Sequence, residues 1–166
     1  MTNDESEKIN WPPRFEPGVA PIHVRNELDM TAQPENVFAW LIDAAGWPSW
    51  YPNAADVRFT DRGVEKLQPG ARFRWKTFGV SIVSRIAEFK HNERIAWDGR
   101  AIGVDVYHAW LIIPSRRGAH VITEETQYGV FARTAAALWP SRMHRFHQIW
   151  LENLAEKAAS GLPSAR

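Results

Sequence analysis

The C-terminal segment 134–160 constrains the fold of this chain more than any other stretch. Apolar side chains recur there with the 3.6-residue period of an α-helix and form one broad face: Trp139, Met143, Phe146, Trp150 and Leu154. The opposite face is polar: Ser141, Arg145, Gln148, Glu152 and Glu156. Such a helix needs a large concave apolar surface to cover it. Pro140 should kink the helix or make it restart, because proline lacks the backbone N–H that continues the helical hydrogen bonds.

The middle of the chain predicts a sheet that can supply this surface. Alternation is clearest in segment 71–77, where Phe73 and Trp75 lie on one face and Arg72 and Arg74 on the other. Further strands are predicted at 22–29, 55–61, 80–89, 94–99, 104–114 and 119–128. A helix at 33–43 and a short helical turn at 46–52 follow the first strand. Consecutive hairpins imply an antiparallel sheet with the helices on one side, so the predicted fold class is α+β.

Length and composition set the domain organisation and exclude several classes of function. The 166 residues predict one domain at 21–160, preceded by a flexible or extended arm, 1–20, and followed by a tail, 161–166. The net charge of +1 offers no electrostatic basis for binding nucleic acid or an anionic membrane. The absence of cysteine excludes disulfides, thiolate metal sites and a cysteine nucleophile.

Targeting signals are also missing from the sequence pattern. The N-terminus is polar and acidic, unlike a signal peptide, and no apolar run approaches the roughly 20 residues that span a bilayer. We therefore expect a cytoplasmic protein without membrane insertion. Either a monomer or a homodimer is compatible with the sequence.

Four local patterns resemble the START-like superfamily, in particular its polyketide cyclase/dehydrase group, often called SRPBCC. They are a helix followed by a Trp-Pro-x-Trp turn at 34–52, a glycine-led strand at 67–75, a strand ending in Trp-x-Gly at 95–99, and paired strands at 108–129. The resemblance implies a helix-grip fold. In that fold a curved antiparallel sheet of about seven strands wraps a long C-terminal helix around a hydrophobic cavity, with two short helices after strand one. The superfamily shares no catalytic set, so the fold alone does not define an activity.

Four tryptophans are candidates for the walls of such a cavity: Trp75, Trp97, Trp110 and Trp150. Flat aromatic walls suit an apolar, aromatic or steroidal ligand. The simpler interpretation, which we favour for any single ring, is that these side chains fill the core. Further candidates for ligand contact lie on the apolar side of the last helix, at Met143 and Phe146.

His108 and Glu125 are the candidate catalytic residues. His108 shares a strand face with Trp110, and Glu125 lies on the inner face of the next predicted strand, within reach of His108. A cavity histidine or a carboxylate with a raised pKa could act as an acid or base. More often an inward carboxylate pairs with a basic residue, and Arg85 and Arg142 are the candidate partners for Glu125.

Arg142 and Asn153 flank the apolar face of the last helix and could orient a ligand. His144 and His147 are three residues apart, but no carboxylate stands at matching spacing in that helix, so we predict no metal site and no cofactor.

Three functions remain open from the sequence. The leading hypothesis is binding of a small hydrophobic ligand, aromatic, lipid-like or polyketide-like, between sheet and helix. The alternative is a cyclase, aromatase or dehydratase that uses His108 or Glu125. A regulatory interaction module that uses the N-terminal arm is the third.

Overall fold

The computed structural model describes residues 8–164. Its strands are β1 (Ile22–Met30), β2 (Ala55–Phe59), β3 (Arg72–Thr77), β4 (Val80–Lys90), β5 (Arg94–Ala101), β6 (Val104–Ser115) and β7 (Gly118–Tyr128). Its α-helices are α1 (Pro34–Ile42), α2 (Val130–Leu138) and α3 (Arg142–Ala159), and short 3-10 helices occupy Pro13–Phe15 and Ala44–Ser49. Residues 1–7 of the predicted arm and residues 165–166 of the predicted tail lie outside this description.

The seven strands form one antiparallel sheet in the order β1-β7-β6-β5-β4-β3-β2. From β2 to β7, each strand pairs with the next strand along the chain. Strand β1 pairs with β7 at one edge of the sheet. Helix α3 lies across the inner face and packs against β1 and α1. The predicted α+β class and the helix-grip fold are confirmed. Within residues 8–164 no helix has the length and apolarity needed to cross a bilayer.

The helix predicted over 134–160 restarts after Pro140, as the proline indicated. The chain forms two helices, α2 and α3, because residues 139–141 leave the helical path. Proline disfavours helical geometry in the residue before it, and Trp139 accordingly has φ −137° and ψ 68°. Trp139 is 54% exposed rather than part of a buried face. The restart also shifts the buried stripe of α3, which consists of His147, Trp150, Leu151, Leu154 and Ala158.

A cluster of aromatic rings fills the interior beneath the 3-10 helix Ala44–Ser49. Trp47 is fully buried at its centre, donates its indole N–H to the Leu41 carbonyl at 3.1 Å, and meets Trp150 edge to face at 5.1 Å. Trp110 contacts Trp150 in the same way, and Tyr51 stacks on it at 4.2 Å. Aromatic packing of this kind buries a large apolar area for each residue. This part of the interior is closed.

The described part of the N-terminal arm packs on the outer face of the sheet. Phe15 stacks on Tyr107 at 5.7 Å, and Trp11 contacts the same ring. The Thr126 hydroxyl donates to the Phe15 carbonyl at 2.9 Å, and Arg14 forms an ion pair with Asp105 at 2.6 Å. Residues 11–15 therefore cover the outer face of β6 and β7. The inner face of these two strands carries His108 and Glu125.

Candidate functional site

A cavity of about 530 Å³ opens between the inner face of the sheet and helix α2. Its inner end is lined by buried side chains, namely Trp75, Trp97 and Glu125. Its mouth is lined by the exposed residues Phe131, Trp139 and Arg142. Aliphatic residues complete the wall: Ile22, Val24, Val80, Ile82, Val104 and Val106. The walls are mainly apolar, as expected of a small-molecule pocket.

Helix α2 leaves space because its inward residues are small. Ala132, Ala135 and Ala136 line the cavity where longer side chains would fill it. Gly129 makes the approach of this helix possible, since its φ of 116° is in the left-handed region and an added Cβ would lie 2.1 Å from the Gly103 carbonyl oxygen. The tight turn after β7 therefore places α2 over the open end of the sheet.

Glu125 receives several hydrogen bonds at the inner end of the cavity. Its Oε2 lies 2.9 Å from His108 Nδ1 and 3.3 Å from His147 Nε2, and its Oε1 accepts from the Gln127 amide. His108 and Glu125 are directly opposite in the register of β6 and β7, so their side chains share the inner face. His147 reaches the same carboxylate from α3. On the far side, His108 Nε2 lies 2.7 Å from the Thr123 hydroxyl.

The hydrogen bonds define the charge of this cluster. Burial raises the pKa of Glu125, but the adjacent His108 and His147 outweigh it and the net effect is a lowered pKa. Burial lowers the pKa of His108, and the attraction of Glu125 only partly opposes it. At neutral pH we therefore assign an ionised Glu125 beside a neutral His108 that donates through Nδ1 and accepts the Thr123 proton at Nε2.

Five of the sequence-predicted residues line the cavity: Trp75, Trp97, Glu125, Arg142 and Met143. Three others lie in the closed part of the interior or behind the cavity wall: His108, Trp110 and Trp150. Phe146 is half-buried and packs edge to face on Phe78 at 5.5 Å. The guanidinium of Arg142 lies over the rings of Phe78 and Trp139 at 5.5 and 5.8 Å.

Two expectations about the polar residues are corrected. Arg85 is exposed on the outer face of β4, because its neighbours Ser84 and Ile86 point inward. Glu125 is paired with histidines rather than with Arg85 or Arg142. Asn153 donates to the Trp50 carbonyl at 2.6 Å, so its amide N–H joins α3 to the loop after the 3-10 helix rather than facing a ligand.

Sequence reasoning considered His147 only as a metal ligand, and it missed Gln127, Phe78 and the contribution of α2. A signal for His147 existed, because it lies three, four, seven and eleven residues before Trp150, Leu151, Leu154 and Ala158 on the buried stripe. Gln127 shares the alternation of Glu125 on β7. Pro140 marked where the helix breaks, but the location of α2 over the cavity had no comparable signal.

The same cluster is the place to consider a metal. One ligand atom from each of His108, Glu125 and His147 lies within 4.8 Å of the others, and two histidines with one carboxylate can bind zinc or iron. The same side chains also contact one another, because Glu125 Oε2 lies within reach of both imidazoles. His144, the other histidine considered from the sequence, is exposed and points away from this cluster.

Comparison with known proteins defines the family. The family described as polyketide cyclase/dehydrase and lipid transport matches residues 21–159, so the chain belongs to it. A comparison with curated proteins found no match.

Comparison with solved structures supports the fold as well. A hypothetical protein of Helicobacter pylori, jhp0584, is 30% identical, with a TM-score of 0.84 over 91% of this chain and 96% of that one. The Zhui aromatase/cyclase from Streptomyces sp. R1128 has a TM-score of 0.71 at 16% identity over 86% and 99% of the two chains. The di-domain aromatase/cyclase StfQ from the steffimycin biosynthetic pathway has a TM-score of 0.67 at 13% identity, over 83% of this chain and 51% of that one. The last two likenesses describe the fold alone.

Proposed function

We propose that this protein binds a small hydrophobic ligand, aromatic, lipid-like or polyketide-like, in the cavity between the sheet and α2. The observation that carries the proposal is the cavity itself, with about 530 Å³ enclosed by mainly apolar walls. Its volume is in the range of pockets that hold drug-sized molecules. Membership of a family that includes cyclases, dehydrases and lipid-transport proteins supports the same role.

A variant that fills the cavity tests this proposal. Ala132 is buried and lines the cavity, so Ala132→Trp should reduce the affinity for an apolar naphthalene probe by at least about tenfold. Ala137→Trp is the matched control, because Ala137 is exposed on the same helix and is not part of the wall. Calorimetric titration of both variants and the parent protein gives the comparison. Equal affinities in all three proteins, or no binding by the parent, would count against the cavity as a binding site.

The second candidate is a cyclase, aromatase or dehydratase activity, favoured by the presence of Glu125 in the cavity wall. Catalysis by proton abstraction needs a base whose pKa is close to the working pH. The lowered pKa of Glu125 makes it a weak base, and His108 is separated from the cavity by the carboxylate. Ligand binding is therefore preferred to catalysis as the proposed function. Turnover of a polyketide thioester mimic that is lost in Glu125→Gln would establish the enzyme.

A further inference from the structure

We propose that Glu125 and Gln127 form a recognition site for a hydrogen-bond donor on the ligand, and that the preferred donor is a protonated amine on an aromatic or aliphatic body. The inference rests on the proposed binding function and adds the chemical class of the ligand.

The polar groups of the cavity wall are few, and most are engaged elsewhere. The Thr77 hydroxyl accepts from the Asn53 amide at 3.0 Å, and His23 is bound to Glu124 at 2.7 Å. Arg142 is exposed at the mouth and lies on aromatic rings. The acceptor groups that remain at the inner end are the side chains of Glu125 and Gln127.

These two side chains form a surface rich in acceptors. Gln127 turns its amide N–H groups toward the Glu125 carboxylate and the Met143 sulfur, at 3.3 Å for the latter. Its carbonyl oxygen is left as an acceptor. The carboxylate has about four lone-pair sites, and three donors, from His108, His147 and Gln127, approach it. One site is left for a donor from the ligand.

The ionised Glu125 carboxylate has imidazoles as its partners. Its ion-pair partners within residues 8–164 are the two histidines, with no lysine or arginine among them. His108 is held neutral by burial, which lowers its pKa. The contacts with the two histidines already favour the ionised form of Glu125, and a ligand ammonium group would add a charge-assisted hydrogen bond to it.

The aromatic walls favour the same class of ligand. Trp75 and Trp97 border the inner end beside Glu125, and the faces of such rings attract cations as well as flat apolar groups. A ligand carboxylate would instead be repelled by Glu125. The Arg142 guanidinium offsets this repulsion little, because it is exposed and screened by solvent.

Three probes with the same ring and different head groups test the inference: 1-naphthylmethylamine, 1-naphthalenemethanol and 1-naphthoic acid. Calorimetry at pH 7 with the intact protein should give the tightest binding for the amine, weaker binding for the alcohol and the weakest for the acid. We expect at least about a tenfold difference between amine and acid.

Two isosteric variants of neighbouring carboxylates locate the effect. Glu125→Gln should weaken the binding of the amine by about tenfold and the binding of the alcohol by less than threefold. Glu124→Gln is the matched control, because Glu124 lies one residue away on the opposite face of β7, bound to Arg25 and His23. Glu124→Gln should leave the order of the three probe affinities, and the ratios between them, unchanged.

The outcomes separate the two proposals. If none of the probes binds, the proposed binding function itself is overturned. If all bind but the acid equals or exceeds the amine, the binding function stands and the donor-recognition site is overturned. Equal losses of amine affinity in Glu125→Gln and Glu124→Gln overturn it as well. The order of the probes in the parent protein decides the matter even if Glu125→Gln fails to fold.

Discussion

The interior has a closed half and an open half, built on the same sheet. In the closed half, Trp47, Trp110 and Trp150 pack ring against ring under α3 and the 3-10 helix. In the open half, α2 presents alanines to the sheet and about 530 Å³ is left between them. Trp75 and Trp97 stand at the boundary, since they contact Trp150 and also line the cavity. Side-chain volume on the covering helix thus decides whether the same sheet makes a core or a pocket.

The largest effect should come from opening the closed half. Trp150→Ala removes a ring that is buried among five tryptophan and tyrosine side chains and His108, and it should lower the free energy of unfolding by about 3–5 kcal/mol. Urea unfolding measures this change. Trp139→Ala, at the exposed mouth, should cost less than about 1 kcal/mol. Similar losses in the two variants would remove the distinction between the halves.

Lowering the pH should lower the free energy of unfolding through His108. The folded pKa of His108 is lowered by burial, so below its ordinary value of 6.5 the unfolded chain takes up a proton that the folded chain does not. Stability therefore falls as the pH drops from 6.5 to 5, by at most about 1.4 kcal/mol per pH unit for one such group. Glu125, whose pKa is also lowered, adds a further loss below its ordinary value of 4.5.

Unfolding free energies at pH 7 and pH 5 measure the effect. His108→Asn retains an N–H near Nδ1 for Glu125 and should lose less stability between these two pH values than the parent protein. His144→Asn, at an exposed position on α3, should lose as much as the parent. His147 also faces the carboxylate and is unchanged in both variants. An equal loss in all three proteins would mean that His108 is not the group that responds.

A smaller effect is expected at the boundary. The Trp75 indole N–H donates to the Ser84 hydroxyl at 3.1 Å, and both side chains are buried. Ser84→Ala leaves that donor without its partner and should cost about 1–2 kcal/mol in thermal or urea unfolding. Ser81→Ala, at an exposed position of the same strand, is the control and should be nearly neutral. A neutral Ser84→Ala would show that the hydrogen bond does not hold the ring in place.

The smallest change in stability should follow substitution on the open side. Phe131 is 60% exposed and lines the mouth, so Phe131→Ser should lower the free energy of unfolding by less than about 1 kcal/mol. Naphthalene probes should nevertheless dissociate faster, because the mouth loses an aromatic wall. Stopped-flow dissociation rates test this, with Val83→Ser, on an exposed part of β4, as the control. A loss of stability as large as that of Trp150→Ala would contradict the open half as described.

Much of the fold was predictable because its signals are local. Segment 71–77 alternates with period two, and turns such as 116–118 are marked by glycine, so the strands were found within a few residues of their bounds. The inward side of β7 follows from the same alternation, which predicts opposite faces for Glu125 and Glu124. The location of the arm residues 11–15 on the outer face required the structure.

The candidate site was less predictable because its contacts join distant parts of the chain. His147 and Glu125 meet only because α3 restarts after Pro140 with a phase that turns His147 inward. The pairing of Glu125 with Arg85 was wrong because strand parity places Arg85 outside.

The sequence by itself determined the element order, the antiparallel pairing and the aromatic character of the inner face, since these follow from periodicity and turn residues. Only the tertiary structure decided where the tryptophans close the interior and where alanines leave it open. It also decided that a carboxylate at the inner end of the cavity is held by two histidines. The physical reason is that helix phase and cross-sheet packing are settled by contacts between residues far apart in the chain, which no local pattern encodes.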